Sequence, residues 1–230
     1  MASSPDSPGR TVRKSRTKSA RTESGGSRAE KKEQTRQALL DTTIDLVDDR
    51  SFGSISLREV ARGAGIVPTA FYRHFASMED LGVTLVEDAM RLLRGALREA
   101  RRDLASRGMP TARDSLSALL KKVHASESQY RFLIREQHGG VAEVRRAIGT
   151  ELRLFSRELA IDLARVPSLR EWGSDDLEVA ADLIVTIMMT TVAELLDGDG
   201  REQTERVLVE RAEKQLVMVF LGMDRWKPAH

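Results

Sequence analysis

An all-α fold is what this sequence predicts, on three observations. Apolar residues recur at spacings of three and four through most of the 230 residues, helix-start and helix-stop signals separate those stretches, and no alternating run is long enough for a strand. The organisation that follows is a basic arm over residues 1–28, a three-helix unit over residues 29–76 and a helical bundle over residues 77–230. A chain that is 40% hydrophobic and 31% charged is ordinary for a globular protein and long enough to bury a core.

The arm comes first in the chain. It carries seven Lys and Arg against Asp6 and Glu23, a local charge of +5 where the whole chain is only +2, so the remainder is slightly acidic. Its Ser, Thr, Gly and Pro content cannot build a core, and disorder is expected. Such an arm either follows phosphates and enters a minor groove or simply solvates the chain. It lacks an apolar stretch of the kind that marks a secretory signal.

A first helix is predicted over residues 29–49, where Leu39, Leu40, Thr43, Ile44, Leu46 and Val47 form an apolar stripe. Residues 50–53 close the turn, with Phe52 expected to plug the three-helix core. The run at residues 56–75, SLREVARGAGIVPTAFYRHF, then describes two short helices around a corner. Ser56 and Glu59 have the spacing of a capping box, which starts a helix at Ser56. Leu57, Val60 and Ala61 give it one apolar face. Gly63 and Gly65 permit a sharp turn that Ile66 can fill from inside. Pro68 suits the first turn of the next helix, predicted over residues 67–75, because its missing N–H would be unpaired there anyway.

Spacing on that second helix directs Ile66, Ala70 or Phe71, and Phe75 inward and leaves Thr69, Tyr72, Arg73 and His74 outside. All four outer side chains can contact DNA: Thr a thymine methyl, Arg a guanine or phosphate, Tyr and His a phosphate oxygen. Taken singly, each is an ordinary solvated residue. Taken together with the cap, the glycine corner and the proline, they point to a helix-turn-helix whose last helix enters a major groove.

From Ser77 onward the pattern stays helical. A long helix is predicted from Ser77 to about residue 104, followed by helices over residues 112–126, 128–137, 141–166, 175–196 and 201–223, with Gly139-Gly140, Pro167, Gly173 and the 198–200 Gly-Asp-Gly as punctuation. The longest uncharged run near the C-terminal end, residues 183–193, falls short of the roughly 18–20 apolar residues that span a bilayer, so no membrane segment is expected. Catalysis is not expected either. The chain has no Cys, its four His lack paired metal-ligand spacing, no Ser sits in a GxSxG setting, and no glycine-rich loop follows a strand.

Residues 33–85 resemble the DNA-binding domain of the TetR family of transcriptional regulators. Val60, Ala61, Ala64, Gly65, Tyr72 and Phe75 stand at the places of the family pattern, followed by Ser77, Glu79, Asp80 and Leu81. Met78 replaces a Lys that many members carry. Within the family the run is especially similar to the FabR and DesT repressors of unsaturated-fatty-acid synthesis. The resemblance implies that Thr35 and Arg36 touch the DNA backbone. It completes a DNA-facing set of Thr35, Arg36, Ser56, Arg58, Val67, Pro68, Thr69, Ala70, Tyr72, Arg73 and His74.

The same resemblance implies a cytoplasmic homodimer, paired through its two C-terminal helices, that represses by occupying a double-stranded palindromic operator. Dimerisation has a physical motive, since two readers about 34–36 Å apart meet successive major grooves. No cofactor is expected. A small hydrophobic effector is, and similarity to fatty-acid regulators suggests a long-chain acyl-CoA held by Leu120, Val123, Phe132, Phe155, Leu159, Met188 and Met189. From the residues alone such a set is as easily plain core. Two alternatives stay open: a regulator of an efflux or catabolic operon that senses another hydrophobic ligand, and a helical ligand-binding protein that has lost DNA contact.

Overall fold

A computed structural model describes residues 20–105, 112–198 and 200–226. Nine α-helices occur among them and no strand: α1 (Ala20–Val47), α2 (Leu57–Gly63), α3 (Pro68–Phe71), α4 (Met78–Ala105), α5 (Ala112–Ala125), α6 (Glu127–Glu136), α7 (Ala142–Leu163), α8 (Ser174–Asp197) and α9 (Glu202–Arg225). The predicted fold class is therefore the observed one. Several boundaries differ from expectation. The first helix starts at Ala20, so residues 20–28 of the expected arm are helical, as follows once a nucleus anchored further along makes each added residue cheap to order. Residues 1–19 of that arm lie outside the described residues. The seventh helix stops at Leu163, three residues early, and Pro167 opens a short 3-10 turn instead.

Local signals position the head. The capping box forms in full: the Glu59 N–H donates to Ser56 Oγ at 3.3 Å, and the Ser56 N–H donates to Glu59 Oε2 at 2.9 Å. Gly65 adopts φ +69° at the corner, a conformation that L side chains rarely adopt, whereas Gly63 is the last residue of α2. Helix α3 itself ends at Phe71, four residues short of the predicted end. The chain continues to Phe75 through tighter turns, with N–H donation from Arg73 to the Ala70 carbonyl and from His74 to the Phe71 carbonyl, closed by an α-type bond from the Phe75 N–H to the Phe71 carbonyl at 3.2 Å.

Helix α4, about 42 Å long at the usual rise, links head and body. Its start is fixed reciprocally: the Asp80 N–H donates to Ser77 Oγ at 3.2 Å while Asp80 Oδ2 accepts from the Ala76 N–H at 2.8 Å. Met78, the departure from the family pattern, is half-buried against the core. Leu81, Leu85, Val86, Ala89, Met90 and Leu93 form the buried stripe that lies on α7, α5 and α6.

Phe52 corrects an expectation. Rather than plugging a separate three-helix core, its ring meets the body residue Phe132 edge-on at 5.9 Å. Gly82 on α4 lets it approach, since a Cβ there would lie 2.8 Å from the Phe52 ring and 2.6 Å from Val144. Buried residues of head and body accordingly form one continuous cluster.

Helix α8 is more apolar than the sequence reading allowed: by length and composition it could cross a membrane, with a mean hydropathy of 1.8 in its best window. The length criterion missed it because Asp182 interrupts the uncharged run. Ala181, Ile184, Val185 and Val192 are nonetheless buried, and the helix packs between α7 and α9. What remains is an outer face with Val179 and Leu183 exposed, continued on α9 by Val207, Val217, Met218 and Leu221.

Candidate DNA-binding interface

Phe71, wholly buried, and Phe75, nearly so, pin the turn that follows α3 to the head, their rings 5.8 Å apart. That anchoring turns the other side of the element outward. Val67 and Tyr72 are 64% and 63% exposed, and Pro68, Thr69 and Arg73 are exposed beside them, while Ala70 is half-buried. The Tyr72 ring stands edge-on to Phe71 at 5.7 Å, which fixes its direction without covering it. An aliphatic and an aromatic side chain held in water beside a threonine and an arginine suit a groove that offers methyl groups, acceptors and phosphates.

His74 departs from the expected outer position. It is half-buried, and its Nδ1 atom is enclosed without a hydrogen-bond partner among the described residues. Spacing on its own helix missed this, since His74 lies within reach of the α1 residues Lys32 and Arg36. Burial first, then the charges of Lys32, Arg36 and Arg73, hold the ring below the usual histidine range. The unfolded chain therefore binds the proton more readily than the native state, so stability falls as pH drops below about 6.5. Replacement His74→Gln should remove that part of the acid loss, seen as a smaller fall in the urea midpoint between about pH 7.5 and about 5.5.

Of the remaining candidates, Arg36 lies over the Phe75 ring at 5.1 Å and so ties α1 to the turn after α3. Lys32 stands one turn earlier on the same helix, close enough to influence His74. It was not singled out from the sequence, though its i, i+4 relation to Arg36 carries the signal. The Thr35 hydroxyl donates to the Lys31 carbonyl at 2.9 Å within its own helix. Ser56 is engaged in the cap, its Oγ donating to Glu59 Oε2 at 2.8 Å, whereas Arg58 is exposed. Glu59 is held down at about 2 by the Ser56 N–H, the Ser56 hydroxyl and Arg50, so the cap keeps its charge through the physiological range. Lys32, Arg36 and Arg73 thus place positive charge beside the exposed face, as phosphate contact demands, and Arg58 and Arg62 are exposed on α2.

The proposed effector residues lie inside the helical body. Val123, Phe132, Phe155 and Met188 are buried in the main cluster, and Leu159 and Met189 are half-buried against it. Leu120 belongs to a separate small cluster with Leu116 and Ala212, where α5 meets α9. Phe132 faces Phe52. In the same body the Tyr130 hydroxyl is buried without a partner among the described residues, and burial pushes it up to about 12.

Two family descriptions match the chain: bacterial regulatory proteins of the tetR family over residues 39–82, and the tetracyclin repressor-like C-terminal domain over residues 111–223. Together they cover well over half of it. Solved structures with the same fold include the fatty acid degradation regulator FadR from Bacillus halodurans, at TM-score 0.63 and 14% identity over 80% of this chain and 94% of that one. FadR from Bacillus subtilis, solved in complex with stearoyl-CoA, gives 0.59 and 17% over 80% and 96%. A TetR-family transcriptional regulator from Streptomyces coelicolor gives 0.61 and 18% over 84% and 97%. At these identities the likeness speaks for the fold.

Proposed function

This chain belongs to the tetR family of bacterial regulatory proteins and is a TetR-type transcriptional regulator, and on that premise we propose that it is a cytoplasmic homodimeric repressor of lipid-metabolism genes that responds to a long-chain acyl-CoA. The observation that carries the DNA-binding part is the exposed face of Val67, Thr69, Tyr72 and Arg73, held rigid from behind by Phe71 and Phe75. Two such faces, paired about a two-fold axis, fit a palindromic operator. The uncovered apolar face of α8 and α9 supports the pairing, because side chains such as Met218, Leu221 and Leu183 gain free energy by burial against a second copy.

The lipid part rests on the aliphatic and aromatic interior, on the buried Tyr130 hydroxyl within it, which has no partner among the described residues, and on the fold shared with a stearoyl-CoA-bound regulator. Met188 and Met189 are the most adaptable of these side chains, and their rearrangement can make room for an acyl chain. Whatever it binds, the effector changes DNA affinity only through its differential affinity for two arrangements of the protein. Mass spectrometry of protein purified without denaturation tests the reading. A retained long-chain acyl-CoA is expected; a retained drug-like or sugar ligand contradicts it.

A further inference from the structure

Three polar side chains of helix α6, Arg131, Arg135 and Glu136, reach to the end of α1 and the segment just beyond it. The Arg135 guanidinium donates to the carbonyls of Val47 at 2.5 Å and Arg50 at 3.1 Å, at the C-terminal end of α1 and just beyond it. The Val47 carbonyl is the last of α1, at the negative end of the helix dipole, so a cation suits it. Arg131 pairs its Nε with Asp48 at 3.3 Å and donates through Nη1 to the Leu196 carbonyl at 2.8 Å, which joins the ends of α1 and α8. Glu136, only 1% exposed, accepts the Phe52 N–H on Oε1 at 2.8 Å, while its Oε2 has no hydrogen-bond partner among the described residues.

A buried carboxylate with one oxygen unmatched is a poor way to gain stability, since an apolar side chain of similar size would be buried at less cost. What it does supply is direction: it fixes the backbone of Phe52 at the point where that ring enters the body. The contact chain continues toward DNA. Arg50, whose carbonyl Arg135 holds, donates through Nη1 to Glu59 Oε1 at 3.0 Å, and the other Glu59 oxygen receives the Ser56 N–H at the start of α2.

We propose that Arg131, Arg135 and Glu136 form a clamp that sets the angle of the DNA-reading head on the body, so that the body controls the head through the end of α1 as well as through α4. The three are positioning residues, remote from the exposed reading face. Movement at the end of α6 is thereby passed to the N-terminal cap of α2 through two ionic hydrogen bonds.

The chain has no cysteine, so an Arg62→Cys, Arg153→Cys pair, at exposed sites on α2 and α7, accepts two spin labels uniquely. Pulsed dipolar spectroscopy on the full chain, diluted into excess unlabelled protein, then reports the head-to-body distance distribution within one chain. A narrow distribution is expected for the parent and for Glu136→Gln, which keeps an oxygen to accept the Phe52 N–H. Glu136→Leu and Arg135→Ala should each broaden it about twofold while helical content stays unchanged. Arg135→Ala carries the test alone if Glu136→Leu does not fold. Parental width in the folded Arg135→Ala and Glu136→Leu proteins would overturn the proposal.

Discussion

Phe71→Ala is expected to lower the unfolding free energy by about 3–5 kcal/mol, the usual cost of emptying a buried phenylalanine site. Phe71 is fully buried, meets Phe75 and Tyr72 through its ring and lies where α3 rests on α2. Emptying the site removes the support behind the turn that presents Tyr72 and Arg73. A typical domain has about 5–15 kcal/mol in all, so the loss removes a large share of it. Urea denaturation checks this, with the midpoint falling sharply. Phe71→Leu, which leaves a smaller void, should fall much less. Because head and body share one buried cluster, the wild type should unfold in a single transition. A loss under about 1 kcal/mol for Phe71→Ala would mean that the site relaxes freely.

Tyr72→Ala and Arg73→Ala should act on the other side of the same element, and the sign of the contrast is the point. Each is expected to weaken operator binding by roughly 10–100-fold, the worth of about 1–3 kcal/mol for a good base or phosphate contact. Arg73→Ala should leave thermal stability nearly unchanged, since its side chain is exposed. Tyr72→Ala also removes an edge contact on Phe71, worth about 0.5–1.5 kcal/mol, so Tyr72→Phe is the control that keeps the ring and drops only the hydroxyl. Anisotropy titrations and melting curves on the same preparations separate the two effects. Unchanged affinity in both alanine variants would refute the assignment of the reading face.

The parts of the head that were legible in the sequence are those set by local chemistry. Ser56 and Glu59 announce a cap because both partners lie within one turn, and Gly65 with Pro68 marks the corner and restart because each answers a backbone constraint of its own. Elsewhere the sequence runs out where distant contacts decide. His74 has an outward register on its own helix, yet it is half-buried and feels the charges of Lys32 and Arg36 on α1. Phe52 reads as a head residue, yet its ring partner Phe132 is 80 residues away in sequence, on α6. The candidate effector residues show the same limit, because apolar spacing places a side chain inside without saying whether it lines a chamber or fills one. Glu136 gave no signal at all: a charged residue near a helix end is ordinary until its burial is seen.

The central claim, that this face binds DNA in an operator-specific way, is tested most directly by fluorescence anisotropy with a duplex from upstream of the protein's own gene, titrated at several salt concentrations. The account predicts saturable binding whose log affinity falls linearly with log salt, at about 0.9 per phosphate neutralised, and binding to an unrelated duplex weaker by about a thousandfold or more. No salt-dependent binding by the wild type, or equal affinity for both duplexes, would contradict it.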